Sequence, residues 1–461
     1  MPLSSSFRHL RHWRRTLVKG PGGLGRLLPI AIPMVISQLF DTVMMFVDRL
    51  FLSYLSPLAM ASCMTGGLTA FLCGYIAFGL VSYASTLVAH RYGAARFDEC
   101  GGVVMQGVWI GVAAYPIVLL VGRVAVNTFA WAGHTPEQVA LESAYFRIMI
   151  LAIIIGLLRT AFSSFFAGIG RTKVIMLGNA ISLVVNIFGN YVLIFGKWGF
   201  PALGIVGAAL GTVIANAVMM LIMAAAFFLH VRRKPFHGKP LLRLNLPVCR
   251  QLIRYGLPSG LGGFASTGGF TLIVLMLHAM GEHVAAAVTM FYNWELLSFF
   301  PLLGVQIAVS TLVGQNMGAH SVRGARQTVR SGLALVICYT SLITLLFVAL
   351  PRTLLEVFGQ GATTDIIDLA VPMMRFGAIY LTFDGMSLIV SGALRGAGDT
   401  LWTMIIGTVF HLVLVTVTAL AIHVFHASPL NVWKAICVTV FTGVIAYFAR
   451  YWQGHWQKMR I

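Results

Sequence analysis

Ser85-Thr86-Leu87-Val88, followed by Gly93-Ala94, returns 225 positions later as Ser310-Thr311-Leu312-Val313, followed by Gly318-Ala319. Working outward, Ala31-Ile32-Pro33 is answered by Gly256-Leu257-Pro258 at the same offset. Further along, Arg147 faces Arg375, and Gly168-Ile169-Gly170 faces Gly396-Ala397-Gly398, both 228 positions apart. A length difference of three residues in one connection accounts for the change. The chain therefore consists of two homologous halves of about six hydrophobic segments each. In membrane proteins such halves commonly enclose a site that opens to each side in turn.

Composition sets the environment. Hydrophobic residues make up 58% of the 461 and charged residues 10%, where a soluble domain carries about a quarter charged. Mean hydropathy is +0.87. The apolar runs reach roughly 20 residues or more, enough to cross a bilayer as helices. The expected architecture is all-α and integral to the membrane, with twelve transmembrane helices in two six-helix bundles. In the first half the spans run over 28–52, 59–90, 101–122, 143–168, 174–196 and 203–229. In the second they run over 250–279, 284–314, 328–350, 366–394, 401–424 and 430–452. Residues 1–27 form a basic cytoplasmic arm and 28–229 the N-lobe. A cytoplasmic linker covers 230–249, the C-lobe 250–452 and a cytoplasmic tail 453–461.

The net charge of +19 follows topology. Arg8, Arg11, Arg14, Arg15, Lys19 and Arg26 stand in the N-terminal arm. Arg232, Arg233, Lys234, Lys239, Arg243, Arg250 and Arg254 stand in or beside the linker. Alternate connections elsewhere are also basic, at Arg91 and Arg96, Arg171 and Lys173, Arg323 to Arg330, and Arg395, while those between carry little. Under the positive-inside rule this places both termini and the linker in the cytoplasm. It leaves no reason to invoke nucleic acid. The six cysteines are scattered without metal-ligand or paired spacing. No cofactor is expected, and the arm is too polar for a secretory signal.

Ionisable groups within a bilayer are costly and normally line a cavity or pair with one another. Those falling mid-span are Asp41 and Asp48 in span 1, Arg159 in span 4, Glu295 in span 8 and Asp384 in span 10. Asp41 and Asp48 are seven apart and share a helix face, as do Asn186 and Asn190 at four apart. None of the acids has an acidic counterpart in the other half. The equivalent positions hold Ser266, Ile273, Ala70 and Gly156. Duplication thus supplied the scaffold and the charges arose separately. Taking a carboxylate out of water favours its protonated form, whereas a nearby cation favours the ionised form. One such group can hold a proton, a metal cation or a cationic substrate in exchange. The competing reading is a structural ion pair between Arg159 and one of the aspartates.

At this point the residues resemble a known family. Ile32-Pro33, Gln38 and Phe46-Val47-Asp48 are similar to span 1 of the multidrug and toxic compound extrusion (MATE) family, in its NorM-like branch. Val313-Gly314-Gln315-Asn316-Met317-Gly318-Ala319 and Gly392-Ala393-Leu394-Arg395-Gly396-Ala397-Gly398-Asp399-Thr400 carry the same resemblance. It implies two six-helix bundles facing each other in a V, exporting organic cations against inward flow of Na⁺ or H⁺. It further implies a monomer in the bacterial inner membrane, with lipid and small-molecule cations as partners. Asp48, Asn186, Asn190 and Thr212 match the family's N-lobe cation site, where Na⁺ can bind. All four are oxygen donors, as a hard cation requires.

Asp384, in Tyr380-Leu381-Thr382-Phe383-Asp384, matches the NorM-like span 10 aspartate. Glu295, in Trp294-Glu295-Leu296, matches a span 8 glutamate of proton-coupled members. Ser266 stands where NorM-like members carry a span 7 glutamate, so Glu295 is expected to supply that carboxylate from the next helix. Asp41, Met45, Trp294 and Tyr380 are cavity or substrate candidates. For Met45 and Trp294, lipid-facing packing is the alternative. A lipid-linked oligosaccharide flippase is the competing transport function. It is disfavoured because acids outnumber bases mid-span. An integral-membrane enzyme is the further alternative, but no nucleophile with a neighbouring base and no metal-spacing motif is present.

Overall fold

The computed structural model describes residues 18–237, 241–357 and 363–461. Arg8, Arg11, Arg14 and Arg15 of the basic arm, and Lys239 of the linker, lie outside the described residues. Among the described residues every long element is a helix, and twelve spans are long and apolar enough to cross a membrane. Spans 1 to 6 are Leu24–Ser53, Pro57–Gly93, Phe97–Trp131, Pro136–Gly168, Thr172–Phe195 and Ile205–Val231. Spans 7 to 12 are Leu246–His278, Glu282–Gly318, Val322–Ala349, Thr364–Ala397, Thr400–His423 and Pro429–Lys458.

The helices overrun the apolar stretches where capping chemistry lets them. Span 2 starts at Pro57 because Ser56 Oγ accepts the Ala59 amide at 3.0 Å. Span 4 begins seven residues before the apolar run because Thr135 Oγ1 accepts the Gln138 amide at 3.3 Å, with Pro136 preset for the first turn. Span 3 ends its main helix at Ala125 and adds a short turn, Thr128–Trp131, so it too outreaches its apolar core.

Two compact units divide the chain. The first takes the chain up to Val35, then Gly262–Met317 and Ser321–Arg460; the second takes Ile36–Leu261 and Gly318–His320. Spans 1 and 7 are each shared out, and each passes between units two or three residues after its repeat-matched proline, Pro33 or Pro258. The reason is local packing. Leu27, Ile30 and Ala31 of span 1 are buried in a core with Leu302, Val305 and Val309 of span 8. There a Cβ on Gly304 would come within 2.6 Å of the Val35 amide nitrogen. In the second unit a Cβ on Gly79 of span 2 would overlap the Gly260 backbone of span 7. Val35 and Gly260, like Gly79 and Gly304, stand 225 apart, so the repeat extends to this close helix contact. Absent side chains let helices approach closely in lipid, where packing drives association.

A second core in the first unit gathers Phe291, Tyr292, Met373, Met374 and Trp433. The Trp433 ring meets Phe291 edge-on at 4.8 Å while its Nε1 donates to the Met373 carbonyl at 2.9 Å, satisfying the one polar atom it buries.

Candidate functional site

Span 1 and span 5 run parallel in the second unit. Asn179 Nδ2 donates to Ser37 Oγ at 2.7 Å and Asp41 Oδ2 at 3.2 Å, and further along Asn190 Nδ2 donates to Asp48 Oδ1 at 2.5 Å. The sequence separation stays at 138 to 142 throughout, which only two helices advancing together maintain. The asparagines of span 5 therefore face the aspartates of span 1 along a shared seam.

Span 6 completes the seam. Gly207, Gly211 and Ala215, at four-residue steps, form a face of small residues on span 6. A Cβ on Gly207 would lie 2.5 Å from the Leu193 carbonyl oxygen, and one on Gly211 would overlap Asn190 Oδ1. Ser182 Oγ donates to the Ala215 carbonyl at 2.9 Å. This approach brings Thr212 into the site, where its Oγ1 donates to Asp48 Oδ2 at 3.1 Å and accepts from Asn186 Nδ2 at 3.4 Å. Asn186 Oδ1 in turn accepts from Asn190 Nδ2 at 3.3 Å. Asp48, Asn186, Asn190 and Thr212 are all buried, so the structure gathers the four into one cluster. Both Asp48 oxygens face donors, as suits an ionised carboxylate. Asn190 Oδ1 is buried with no hydrogen-bond partner. With the Asp48, Asn186 and Thr212 oxygens, it makes a donor set that fits a hard cation.

Asp41 stands apart from that cluster. It faces Arg159 Nη1 of span 4 at 3.8 Å as well as Asn179, which makes it a member of an ion pair. Asn179 and Ser37 belong to this second group, and nothing in their spacing to a charged residue singled them out. Met45 is 51% exposed in its unit, outside both groups.

The acids of the first unit form another cluster. Glu295 is buried, and its Oε1 accepts from the Tyr380 hydroxyl at 3.0 Å. Asp384 stands one turn beyond Tyr380 on span 10. Among the described residues it forms no ion pair or side-chain hydrogen bond. A negative charge held out of water is costly, and a proton or a cation relieves the cost. Ser266 faces span 11: a Cβ on Gly407 would lie 3.7 Å from its Oγ and 3.0 Å from the Tyr447 hydroxyl. Trp294 donates Nε1 to the Leu354 carbonyl at 3.0 Å and packs on the core, pinning the short helix Pro351–Glu356. His411 is a further ionisable group within span 11; its Nδ1 meets its own helix at the Gly407 carbonyl, 2.8 Å away.

Comparisons with known proteins give the chain its family. The MatE family model matches residues 33–192 and 258–420, one block in each half. The chain is 30% identical to a protein of Pseudomonas putida named "Probable multidrug resistance protein NorM" over 84% of both chains. It is 28% identical to the NorM of Synechococcus sp. over 82% of both. Its fold matches a MOP superfamily transporter from Pyrococcus furiosus with a TM-score of 0.84 at 19% identity, covering 96% of this chain and 98% of that one. With twelve spans in two repeated halves and the family model matching in each half, the chain belongs to the MatE family, the multidrug and toxic compound extrusion transporters, in its NorM-like branch.

Proposed function

We propose that this transporter is an antiporter that exports organic cations and draws its energy from inward H⁺ movement through Asp48. The observation that carries the reading is a buried carboxylate caged by donors from two other helices. Asn190 of span 5 and Thr212 of span 6 both donate to Asp48, and a proton arriving there removes the charge that strengthens those contacts. Loading the site therefore changes how span 1 is held against spans 5 and 6. Glu295, buried and held by the Tyr380 hydroxyl, with Asp384 one turn beyond Tyr380 on span 10, supplies a second site for uptake of one positive charge. The NorM relatives, named as multidrug resistance proteins, support the substrate class.

The partnerless Asn190 Oδ1 favours Na⁺ as the second reading for the coupling ion. We place the chain as a monomer in the bacterial inner membrane, with both termini cytoplasmic on the strength of its charge distribution. The repeat divides it functionally into an N-lobe of spans 1 to 6 and a C-lobe of spans 7 to 12. The test is proton release on adding a fluorescent organic cation to proteoliposomes. Wild type and Ser266→Ala are expected to release protons, and Asp48→Asn and Glu295→Gln to release none. Activity in Glu295→Gln with loss in Ser266→Ala would sink the assignment of Glu295.

A further inference from the structure

We propose that the basic cluster where span 5 begins and span 6 ends is a binding site for the phosphate headgroup of an anionic membrane lipid. The observation that carries it is the way Arg171 is held. Its Nη1 donates to His230 Nε2 of span 6 at 2.7 Å, and among the described residues it forms no ion pair. A guanidinium only donates, so the ring nitrogen it meets accepts, carries no proton, and leaves the imidazole neutral. Arg171 is thereby oriented without being neutralised, and it is exposed. The imidazole is itself fixed, edge-on to the Phe166 ring at 5.5 Å and to the Phe165 ring at 6.4 Å. The other half of the repeat closes the matching position. Asp399, 228 positions after Arg171, is 1% exposed and meets Arg450 of span 12 at 2.7 Å.

Further cations are set beside it by hydrogen-bonded structure. The Arg233 amide donates to the His230 carbonyl at 3.1 Å and the Phe236 amide to the Arg233 carbonyl at 3.0 Å, so the chain turns back as span 6 ends. Phe236 is buried, its ring 5.3 Å from that of Phe165, the same ring that meets His230. The turn therefore presents Arg232, Arg233 and Lys234, all exposed, on a fixed base. Lys173, also exposed, stands in the first turn of span 5. No aspartate or glutamate occurs between Glu142 and Glu282, so nothing on spans 5 and 6 offsets these charges. At the start of span 3, whose Phe97 ring meets that of Phe236 at 5.9 Å, Glu99 is bound by Arg91 and Arg96. Setting Asp98 and Glu99 against those two arginines leaves Arg171, Lys173, Arg232, Arg233 and Lys234 in excess.

Beyond the cations the surface is apolar, which selects a lipid over a free anion. On span 5, Leu177, Ile181 and Val184 are exposed and follow Lys173 at steps of four, four and three. On span 6, Phe228, Ala225 and Leu221 are exposed and run back from Arg232 at steps of four, three and four. Each stripe covers eleven positions, 173 to 184 and 232 to 221. That is about 16 Å of helix, the depth of one leaflet in a hydrocarbon core ~30 Å thick. A lipid whose phosphate meets Arg171 can thus lay its chains on the same two helices. Basic pockets between helices at the cytoplasmic side suit anionic headgroups, and the charge distribution assigns this side to the cytoplasm. The bound lipid ties together the ends of spans 5 and 6, whose Asn190 and Thr212 hold Asp48.

The test is the thermal midpoint of the full-length protein in detergent, titrated with dioleoyl phosphatidylglycerol, dioleoyl phosphatidylcholine or inorganic phosphate. Phosphatidylglycerol is expected to raise the midpoint at about a tenth of the concentration that phosphatidylcholine needs, and inorganic phosphate to leave it unchanged. Arg171→Gln is expected to move the half-maximal phosphatidylglycerol concentration up about tenfold. Arg323→Gln, which removes one charge from a different basic connection, is expected to leave it where it is. If Arg171→Gln fails to fold, Lys173→Gln and Lys234→Gln, at exposed positions, decide by the same shift. Equal responses to the two lipids would overturn the site. So would a shift in Arg323→Gln as large as that in Arg171→Gln, because it would mark net charge alone. A rise with inorganic phosphate equal to that with phosphatidylglycerol would overturn the lipid as the ligand.

Discussion

At the scale of single residues, the Asp48 site depends on a missing side chain as much as on its oxygens. Gly211 lets Asn190 reach Asp48, since a Cβ there would overlap the Asn190 amide. Gly211→Ala is therefore expected to cut transport by tenfold or more, measured as initial uptake rate. Gly189→Ala places its methyl 3.6 Å from the Gly211 backbone, an ordinary contact, and is expected to leave transport near wild type. The four site oxygens were legible because they follow a family pattern. Asn179 was not, because an uncharged amide seven residues before Asn186 looks like any polar residue on a helix until its partner on span 1 is known. Glu142, a buried acid of span 4, was missed for a different reason. Hydropathy stops at the last apolar residue, whereas the helix starts at its Thr135 cap and carries the acid inside.

At the scale of elements, the chain relies on a few buried polar ties between helices. Asp399, at the start of span 11, meets Arg450 of span 12 through two contacts, Nε to Oδ2 at 2.7 Å and Nη2 to Oδ1 at 3.2 Å. The guanidinium also lies 4.8 Å over the Trp402 ring. Removing one member of a buried pair leaves the other uncompensated and costs about 3–5 kcal/mol. Asp399→Asn and Arg450→Ala are both expected to lower the thermal midpoint in detergent clearly, with the double variant recovering part of the loss. The exposed pair Arg352 with Asp368 is expected to show almost no such effect, because a solvated pair contributes about 0–1 kcal/mol. The sequence marks Asp399 only as part of a family motif. Its partner lies 51 residues away on another helix, at a distance set by packing.

At the scale of the whole molecule, the halves read from sequence and the compact units are different partitions of the same repeat. The repeat shows as an offset of 225 and needs no structure. The sharing of spans 1 and 7 was invisible, because hydropathy reports that a helix is buried and not which neighbour buries it. The prolines that precede each crossing, Pro33 and Pro258, each break one backbone hydrogen bond of their helix. Pro33→Ala and Pro258→Ala are expected to slow turnover severalfold while leaving substrate affinity unchanged, measured as uptake rate against equilibrium binding. A loss of affinity without loss of rate would remove the prolines from the transport cycle.

The central claim is that a cation bound at Asp48 drives export. Its most direct test is accumulation of a fluorescent organic cation in everted membrane vesicles, energised separately by an imposed H⁺ gradient and an imposed Na⁺ gradient, in wild type and Asp48→Asn. The account predicts accumulation in wild type under the H⁺ gradient and none in Asp48→Asn. Equal accumulation in the two proteins, or none in wild type under either gradient, would contradict it.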